Sequence, residues 1–265
     1  MRARRYDTAF LLNRSLGSAL IAALGGVRRR IGHNAEGRGP LLTHRVAYDW
    51  GRPDRECALD LLRAEGFAAD GGMPELWVDQ AEHELGRAVL AQRGLGPASG
   101  LLVIHPGAND PHIRAWGAER FAAAGDALAG STGLRVVITG AADDLPVAEA
   151  TARAMRAPAI ILAGELGLRE SFAVVARAAL FVGNDGGMLH AAASLCAATV
   201  GIFGPTKSAR WGYDTASHRT AVALPARPTR SDAEIRACLD RIEPDHVVYL
   251  ALQALAGAQG EERGR

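Results

Sequence analysis

The chain has 265 residues, of which 48% are hydrophobic and 22% charged, and its formal net charge is +1. This composition is typical of a globular protein with one large or two small domains, and it excludes a disordered, collagen-like or coiled-coil chain. The low net charge argues against a general nucleic-acid binder. Three cysteines without a C-x-x-C pair argue against a disulfide framework or structural zinc, and we expect a reducing, cytoplasmic location.

The positive charge is concentrated at the start of the chain. The first 50 residues hold nine arginines against three acidic residues, a net charge of +6. Such a segment can dock an anionic acceptor, or it can simply be a solvated basic face. Its longest apolar run, Leu16 to Val27, is shorter than the ~20 residues of a membrane span, and the first residues lack the apolar core of a signal peptide.

The first part of the chain predicts few elements. A short buried strand is expected over 7–12, and helices are expected over 17–24, 58–65 and 82–93. The Gly/Pro/Ser-rich segment 94–100 predicts a domain boundary. We therefore expect one domain over 1–98, a second domain over 99–255 and a disordered tail over 256–265.

After residue 100, apolar strands alternate regularly with helices. The predicted strands span 101–105, 134–139, 159–162, 179–182 and 199–203. The predicted helices span 117–129, 168–178 and 187–195, with a further helix that ends near 155. Continuous apolar strands of this kind indicate a doubly wound parallel sheet, covered by helices on both faces. Ligands of such sheets bind beyond the carboxyl ends of the strands.

Two loops at such strand ends have the residue types of an anion site. In the loop 105–116, Gly107 allows close approach of the backbone to a ligand, and Arg114 can pair with phosphate oxygens. In G-N-D-G-G-M-L-H, Gly186 and Gly187 precede a helix whose free N–H groups favour an anion. The alternatives are an ordinary turn and a helix cap.

The second of these loops and two further strand ends offer other polar residues. Asp185 is expected to bond sugar hydroxyls or to pair with Arg114, and His190 lies one helical turn after Gly187. Asp143 and Asp144 follow the predicted strand 134–139 and can hold a ribose diol, as acids do in dinucleotide sites. Thr206, in F-G-P-T-K, offers another hydrogen-bond donor. Each of these segments can also be an ordinary turn, cap or buried histidine.

Other chemistries lack their motifs. The sequence has no H-E-x-x-H pair for a catalytic metal and no G-x-S-x-G elbow for a hydrolase. It also lacks a nucleoside-triphosphate loop and a G-x-G-x-x-G dinucleotide turn. The cysteines Cys57, Cys196 and Cys238 are expected to be small apolar core residues.

Taken together, these stretches resemble glycosyltransferase family 9, the bacterial heptosyltransferases of lipopolysaccharide core assembly. The resemblance over 101–212 lies in H-P-G-A, R-A-W, V-V-I-T-G, L-A-G-E-L-G-L-R-E, V-G-N-D-G-G-M-L-H and F-G-P-T. Earlier in the chain, L-L-N-R-S-L-G-S-A-L, R-R-I-G-H and G-R-G-P-L-L-T-H resemble the later part of the family's acceptor-binding domain. S-L-G-S-A-L and L-A-G-E are most similar to the heptosyltransferase II branch.

The resemblance implies an α/β, GT-B-like fold with two Rossmann-like domains, of which the N-terminal one is incomplete. It implies transfer of heptose from ADP-heptose to the lipopolysaccharide inner core, with inversion and without a metal or other cofactor. Alternatives are a catalytically impaired nucleotide-sugar-binding remnant and a GT-B enzyme that uses another nucleotide sugar. The implied partners are the donor and the acceptor, with no nucleic acid. The implied location is cytoplasmic, with peripheral contact at the inner face of the inner membrane.

The resemblance also assigns roles to residues. Arg114, Gly107 and the loop Asp185–Gly187 take the sugar diphosphate, with His190 beside them, while Asp143 or Asp144 contacts the ribose and Thr206 completes the nucleotide-sugar set. Asp185 and His190 support catalysis. Ser15 and Arg38 fall in the acceptor-side motifs.

Two departures from the family pattern matter. Gly186 stands where the family usually has Ser or Thr, and a lost hydroxyl–phosphate bond costs roughly 1.5–3 kcal/mol. In addition, the chain begins within the family's first domain, so it lacks the opening strands and the Gly-rich loop. That region supplies the family's general-base aspartate, so the catalytic base of this chain is left unassigned.

Overall fold

Short apolar runs that end in polar residues form the strands of this protein. The computed structural model describes residues 5–196, 198–204, 208–223 and 231–263. The chain divides into two units, residues 1–72 and 73–265.

The first unit contains a three-stranded parallel sheet in the order β1-β2-β3. Its strands are β1 (Thr8–Leu11), β2 (Arg29–His33) and β3 (His44–Val46). Its helices are α1 (Leu16–Leu24), a short 3-10 helix (Gly39–Leu41) and α2 (Asp54–Arg63). The predicted first strand and the first two helices are confirmed. The second and third strands were not predicted, because their sequences R-R-I-G-H and H-R-V are too basic to read as buried strands.

The second unit contains a six-stranded, fully parallel sheet in the order β6-β5-β4-β7-β8-β9. Its strands are β4 (Leu101–His105), β5 (Arg135–Ile138), β6 (Ala159–Ile161), β7 (Ala178–Asn184), β8 (Ala198–Phe203) and β9 (His218–Val222). Its helices are α3 (Gln80–Gln92), α4 (Pro111–Arg114), α5 (Ala118–Thr132), α6 (Leu145–Ala154), α7 (Leu168–Val175), α8 (Gly187–Leu195), α9 (Ser208–Trp211), α10 (Asp232–Asp240) and α11 (Pro244–Arg263). A short 3-10 helix, Ala142–Asp144, precedes α6. The strand order reverses between β4 and β7, which is the topological switch point where open parallel sheets bind ligands.

Alternation along β4 shows why the sheet is covered on both faces. Leu102 and Ile104 join a core with the buried residues of α5 and α11. Leu101 and Val103 point to the other face and pack with residues of α3, α7 and α8. The predicted doubly wound α/β architecture is confirmed.

The boundary between the units lies earlier than predicted, after Gly72 instead of near residue 98. The helix α3 belongs to the second unit because it packs closely on α7. A Cβ added at Gly86 would lie 2.7 Å from the carbonyl oxygen of Ala173, so only glycine permits this approach. Arg169 of α7 also pairs with Glu82 of α3 at 2.5 Å.

The prediction of a disordered tail over 256–265 is wrong as far as residue 263, because α11 continues to that residue. Ala254 and Ala258 of α11 are buried in the core. Near the end of the helix, the Ser217 hydroxyl donates a hydrogen bond to Glu261 at 3.0 Å. Burial of the small side chains of A-L-A-G-A on the sheet holds a segment that its composition alone suggested was frayed. No helix among the described residues is both long and apolar enough to cross a bilayer.

Candidate functional site

A cavity of about 450 Å³ opens at the carboxyl ends of β4, β5 and β7 in the second unit. Its lining comes from four segments, which are 105–109, 140–144, 166–172 and 186–188. It therefore lies at the switch point of the sheet, where the sequence predicted a ligand site. Its size is within the range of small-molecule pockets, about 300–1,000 Å³.

Asn184, the last residue of β7, fixes the loop that follows β4. Its buried side-chain amide donates to the carbonyl oxygens of Pro106 at 2.8 Å and Gly107 at 3.3 Å, and its Oδ1 accepts from the main-chain N–H of Trp116 at 3.1 Å. Trp116 is itself fully buried and donates its indole N–H to the carbonyl oxygen of Ile242 at 2.8 Å. We did not predict either residue as part of the site. The sequence signal that could have identified Asn184 is a polar residue at the end of an apolar strand.

Asp144 is the acidic residue that the fold brings to the cavity. It lines the cavity, and its carboxylate accepts a hydrogen bond from the Ala141 N–H at 2.9 Å. Two glycines make room for it, because a Cβ at Gly140 would lie 2.7 Å from the Cβ of Asp144, and a Cβ at Gly107 would clash with its carboxyl group. Asp143 is exposed and does not line the cavity. Of the two ribose contacts that the sequence left open, Asp144 has the suitable position.

His105 lines the same cavity at the end of β4. Its Nδ1 lies 3.2 Å from the Thr139 hydroxyl, and its ring stacks on Phe181 with centroids 6.4 Å apart. Burial lowers the pKa of His105 below its ordinary value, an effect that outweighs the nearby carboxylate of Asp144. The imidazole is therefore neutral at pH 7, and it adds no positive charge to the cavity.

The amino terminus of α8 forms one side of the cavity. Gly186 has an extended backbone, with φ −170° and ψ 177°, and caps α8 without a side chain. Gly187 is the first residue of the helix, and a Cβ there would meet no protein atom within 4 Å. The first N–H groups of a helix lack helical partners and carry partial positive charge, so this end of the cavity favours an anion.

Three other predicted residues of the second unit, Asp185, His190 and Arg114, are not part of this lining. Asp185 is buried, with its main-chain N–H donating to the Ile202 carbonyl oxygen at 2.9 Å. His190 packs edge-on against Tyr213 with its Nδ1 2.9 Å from the phenol oxygen. Arg114 ends α4, and its buried Nε has no hydrogen-bond partner among the described residues. Thr206 lies outside the described residues.

In the first unit, the predicted acceptor residues have structural roles. Ser15 caps α1, its hydroxyl accepting from the Gly17 N–H at 3.1 Å. Arg38 is fully buried and donates to the carbonyl oxygens of His33 at 2.9 Å and Leu11 at 3.1 Å, and also to that of Asn13. Burial lowers the pKa of Arg38 despite the nearby carboxylate of Glu36. The assignment of Arg38 to acceptor binding is wrong, because its guanidinium is committed to the backbone and closed to solvent.

A cluster of aromatic and charged side chains lies at the carboxyl ends of the strands in the first unit. Arg14 donates to the Tyr48 hydroxyl at 2.7 Å and to Asp54 at 3.0 Å. Its guanidinium also lies over the rings of Tyr48 and Trp50, at 4.6 and 5.3 Å from their centroids. The indole of Trp50 is 56% exposed. We name Arg14, Tyr48, Trp50 and Asp54 the edge cluster; the signal that we missed was the Y-D-W sequence directly after a strand.

Metal ligands do not gather in the described part of the chain, where no group of three or more His, Cys, Asp or Glu side chains could hold an ion. The prediction of a reaction without metal stays a prediction.

Comparisons with known proteins agree with this architecture. A family model described as glycosyltransferase family 9 (heptosyltransferase) matches residues 1–239. The chain belongs to this family. The family resemblance drawn from the sequence motifs is thereby confirmed.

Similar family members include lipopolysaccharide heptosyltransferase 2 of Salmonella typhimurium, which is 29% identical over 222 residues. That match covers 78% of this chain but 62% of the relative, so the family-9 chain spans less than two thirds of this relative's length. Among solved structures, Escherichia coli ADP-heptose lipopolysaccharide heptosyltransferase II is similar with a TM-score of 0.71 and 25% identity, covering 98% of this chain and 79% of that one. A family-9 glycosyltransferase of Veillonella parvula has a TM-score of 0.76 at 19% identity, covering 96% and 75%. The GT-B-like fold class expected from the sequence is confirmed.

Proposed function

We propose that this family-9 chain binds ADP-heptose in the cavity of its second unit and transfers the heptose to the inner core of lipopolysaccharide. The observation that carries the proposal is the cavity at the β4/β7 switch point, which combines the carboxylate of Asp144 with the amino terminus of α8. Its similarity to a structure named as an ADP-heptose heptosyltransferase supports the choice of donor.

Each end of the cavity suits one part of the donor. The carboxylate of Asp144, held by the Ala141 N–H, is positioned to accept hydrogen bonds from a ribose diol. The diphosphate would meet the N–H groups at the amino terminus of α8, where the absence of a side chain at Gly187 lets the phosphate oxygens come close. Arg114 ends α4 outside the cavity lining, and the family resemblance makes it the charged donor for the same anion.

The proposed reaction is a direct displacement at the anomeric carbon, with inversion. An acceptor hydroxyl gives its proton to a general base, which is not assigned to a residue of this chain, and its oxygen forms the new bond to C1. At the same time the bond from C1 to the ADP oxygen breaks and the electron pair leaves with ADP. Negative charge therefore develops on the diphosphate, where the α8 amino terminus and Arg114 would stabilise it. The proposal assigns this stabilisation to the protein, without a metal ion or other cofactor.

We propose the edge cluster as the contact for the acceptor, in place of Arg38. The half-exposed indole of Trp50 offers an apolar face for the C–H groups of a sugar, and Arg14, which pairs with Asp54 and Glu36, holds the two aromatic rings in place. Both residues lie in the basic first segment, which suits a phosphorylated acceptor. The same acceptor would bring the protein to the cytoplasmic face of the inner membrane.

The test is a calorimetric titration of the chain with ADP-heptose, with UDP-glucose as the control ligand. We expect selective binding of ADP-heptose and at least tenfold weaker binding by Arg114→Ala, equivalent to about 1.4 kcal/mol. Arg153→Ala, which removes a 72% exposed arginine of α6, is the matched control and should bind like the original chain. Equal affinity for both nucleotide sugars would refute the donor assignment. Selective binding without heptose transfer would identify a nucleotide-sugar-binding remnant.

A further inference from the structure

A second cavity of the second unit lies at the opposite end of the strands from the donor cavity. It has a volume of about 470 Å³ and is lined by Met73, 193–196, Thr215, Ser217, His218, Ala258 and Glu261. The segment 193–196 precedes β8, and His218 is the first residue of β9, so the cavity lies at the amino ends of these strands. We name it the amino-end cavity. Among the described residues, it shares no lining residue with the donor cavity.

A close contact of α11 shapes one wall of the amino-end cavity. A Cβ added at Gly257 would clash with the main chain of Ala216, so glycine lets the helix lie directly against the loop before β9. Glu261 follows one helical turn later on the same face of α11. Its carboxylate accepts the hydrogen bond from the Ser217 hydroxyl at 3.0 Å, and Ser217 is buried. The carboxylate is therefore held at the cavity by a buried partner, while Glu261 itself stays open to solvent.

His218 brings an unused polar atom to the same cavity. The residue is only 7% exposed, and its Nδ1 lies 2.9 Å from the hydroxyl of Thr199, its neighbour on β8. Its Nε2 has no hydrogen-bond partner among the described residues, and it is not sealed in the core, because the imidazole lines the cavity. The Thr199 hydroxyl has no other acceptor among the described residues, so we assign its proton to the bond with Nδ1. Nε2 then carries the ring proton and is a free donor.

The electrostatics of the amino-end cavity favour a cation. Glu261 is the charged residue of the described lining, which contains no lysine or arginine. Burial lowers the pKa of His218, an effect that outweighs the nearby carboxylate of Glu261, so the imidazole is neutral at pH 7. The helix α8 ends at Leu195 in the lining, and α11 ends two residues after Glu261. The last carbonyl groups of each helix carry partial negative charge, which adds to that of the carboxylate.

We infer that the amino-end cavity binds a small organic ammonium ion that also carries a hydroxyl group, a ligand of the amino alcohol class. The ammonium group would pair with Glu261 and the carbonyl end of α8, and the ligand hydroxyl oxygen would accept a hydrogen bond from Nε2 of His218. The volume suits a small molecule. A metal ion is a poorer occupant, because the described residues contain no group of three or more His, Cys, Asp or Glu side chains that could hold one. This site goes beyond the proposed transfer reaction and does not depend on it.

The experiment is a calorimetric titration of the full chain at pH 7 with three four-carbon probes. Each probe has a hydroxyl group at one end. At the other end, aminobutanol has an ammonium group, butanediol a second hydroxyl group and hydroxybutanoate a carboxylate. We expect aminobutanol to bind at least about tenfold tighter than either of the other probes, and its binding to weaken as salt screens the carboxylate.

Matched variants locate the bound ammonium group. Glu261→Gln should lose about tenfold or more of the aminobutanol affinity, because it removes the charge and keeps the shape of the side chain. Glu149→Gln is the control, since it removes the same charge from an exposed glutamate of α6 and should bind aminobutanol like the original chain. Thermal melting will show that both variants are folded.

Three outcomes would overturn the inference. The first is the absence of aminobutanol binding. The second is equal affinity for aminobutanol and butanediol, which would mean that the cavity recognises hydroxyl groups without regard to charge. The third is equal affinity of the original chain and of a folded Glu261→Gln variant, which would place the amine elsewhere. Failure of ADP-heptose binding would refute the donor proposal and leave the aminobutanol result unaffected, because the two cavities have different described linings.

Discussion

Replacing Gly187 with alanine separates the stability of α8 from its use as an anion site. Apart from its chain neighbours and its own helix, a Cβ at this position would meet no atom of the described residues within 4 Å, so the described structure has room for the methyl group. The residue opens α8 and lines the cavity. The added methyl group would therefore occupy space that the proposal gives to the donor diphosphate.

The two effects of Gly187→Ala have opposite signs. Alanine is favoured over glycine in a helix interior by roughly 0.5–1 kcal/mol. Because Gly187 lies in the first turn of α8, the gain in the free energy of unfolding should be at most this large. A gain of 1 kcal/mol raises the melting temperature of a domain of about 150–250 residues by about 2–4 °C. Affinity for ADP-heptose should nevertheless fall at least tenfold, or about 1.4 kcal/mol, because the methyl group keeps the phosphate oxygens from the N–H groups.

The assay combines thermal melting with calorimetric titration of ADP-heptose on the same preparations. Gly130→Ala is the matched control, since Gly130 lies in α5 and a Cβ there would also meet nothing within 4 Å. It should stabilise the protein to a similar degree and leave donor affinity unchanged. If Gly187→Ala binds ADP-heptose as tightly as the original chain, the diphosphate does not lie at this helix terminus and the reasoning fails.

Three further predictions concern the residues around the cavity and two buried histidines. Gly186→Ser should change stability by only a few tenths of a kcal/mol, because its extended backbone and free space accept a side chain, but tighten donor binding about tenfold or more through a hydroxyl–phosphate bond. Asn184→Ala should lower the melting temperature by several degrees, since it leaves the buried Trp116 N–H unpaired at about 1–3 kcal/mol. Burial lowers the pKa of both His105 and His218, so the unfolded chain binds more protons as pH falls below about 6.5. The free energy of unfolding should therefore be constant above that pH and decrease below it, by at most about 1.4 kcal/mol per pH unit for each histidine.

Each of these has its own check. For Gly186→Ser, calorimetry that shows unchanged donor affinity would mean that the phosphate lies out of reach of residue 186. For Asn184, the exposed Asn109 gives a control, since Asn109→Ala should melt at the original temperature. For the histidines, urea titrations at several pH values measure the free energy of unfolding. If a His218→Gln variant keeps the full decrease of this free energy below about pH 6.5, His218 does not contribute to it.

The periodicity of the sequence determined much of the fold of the second unit. Continuous apolar runs such as L-L-V-I-H and L-F-V-G-N can only be strands buried on both faces, because no solvent-facing residue interrupts them. Their alternation with helices then implied a parallel sheet with its ligand site at the carboxyl ends. The glycine pair 186–187 and the acids Asp143 and Asp144 were predicted as candidate site residues for the same reason, since each lies in a loop that follows such a strand.

Tertiary structure decided what local patterns leave open. Arg38 has the residue type of an acceptor contact, but its burial among the carbonyl oxygens of His33, Leu11 and Asn13 depends on contacts distant in sequence. The assignment of α3 to the second unit depends on a single glycine that fits against α7, which no local propensity reveals. The orientation of α1 was also left open by the sequence. Its Leu16, Leu20 and Leu24 are exposed while Ala19 and Ala22 are buried. A helical period identifies the faces of a helix, but packing against the sheet decides which face is buried.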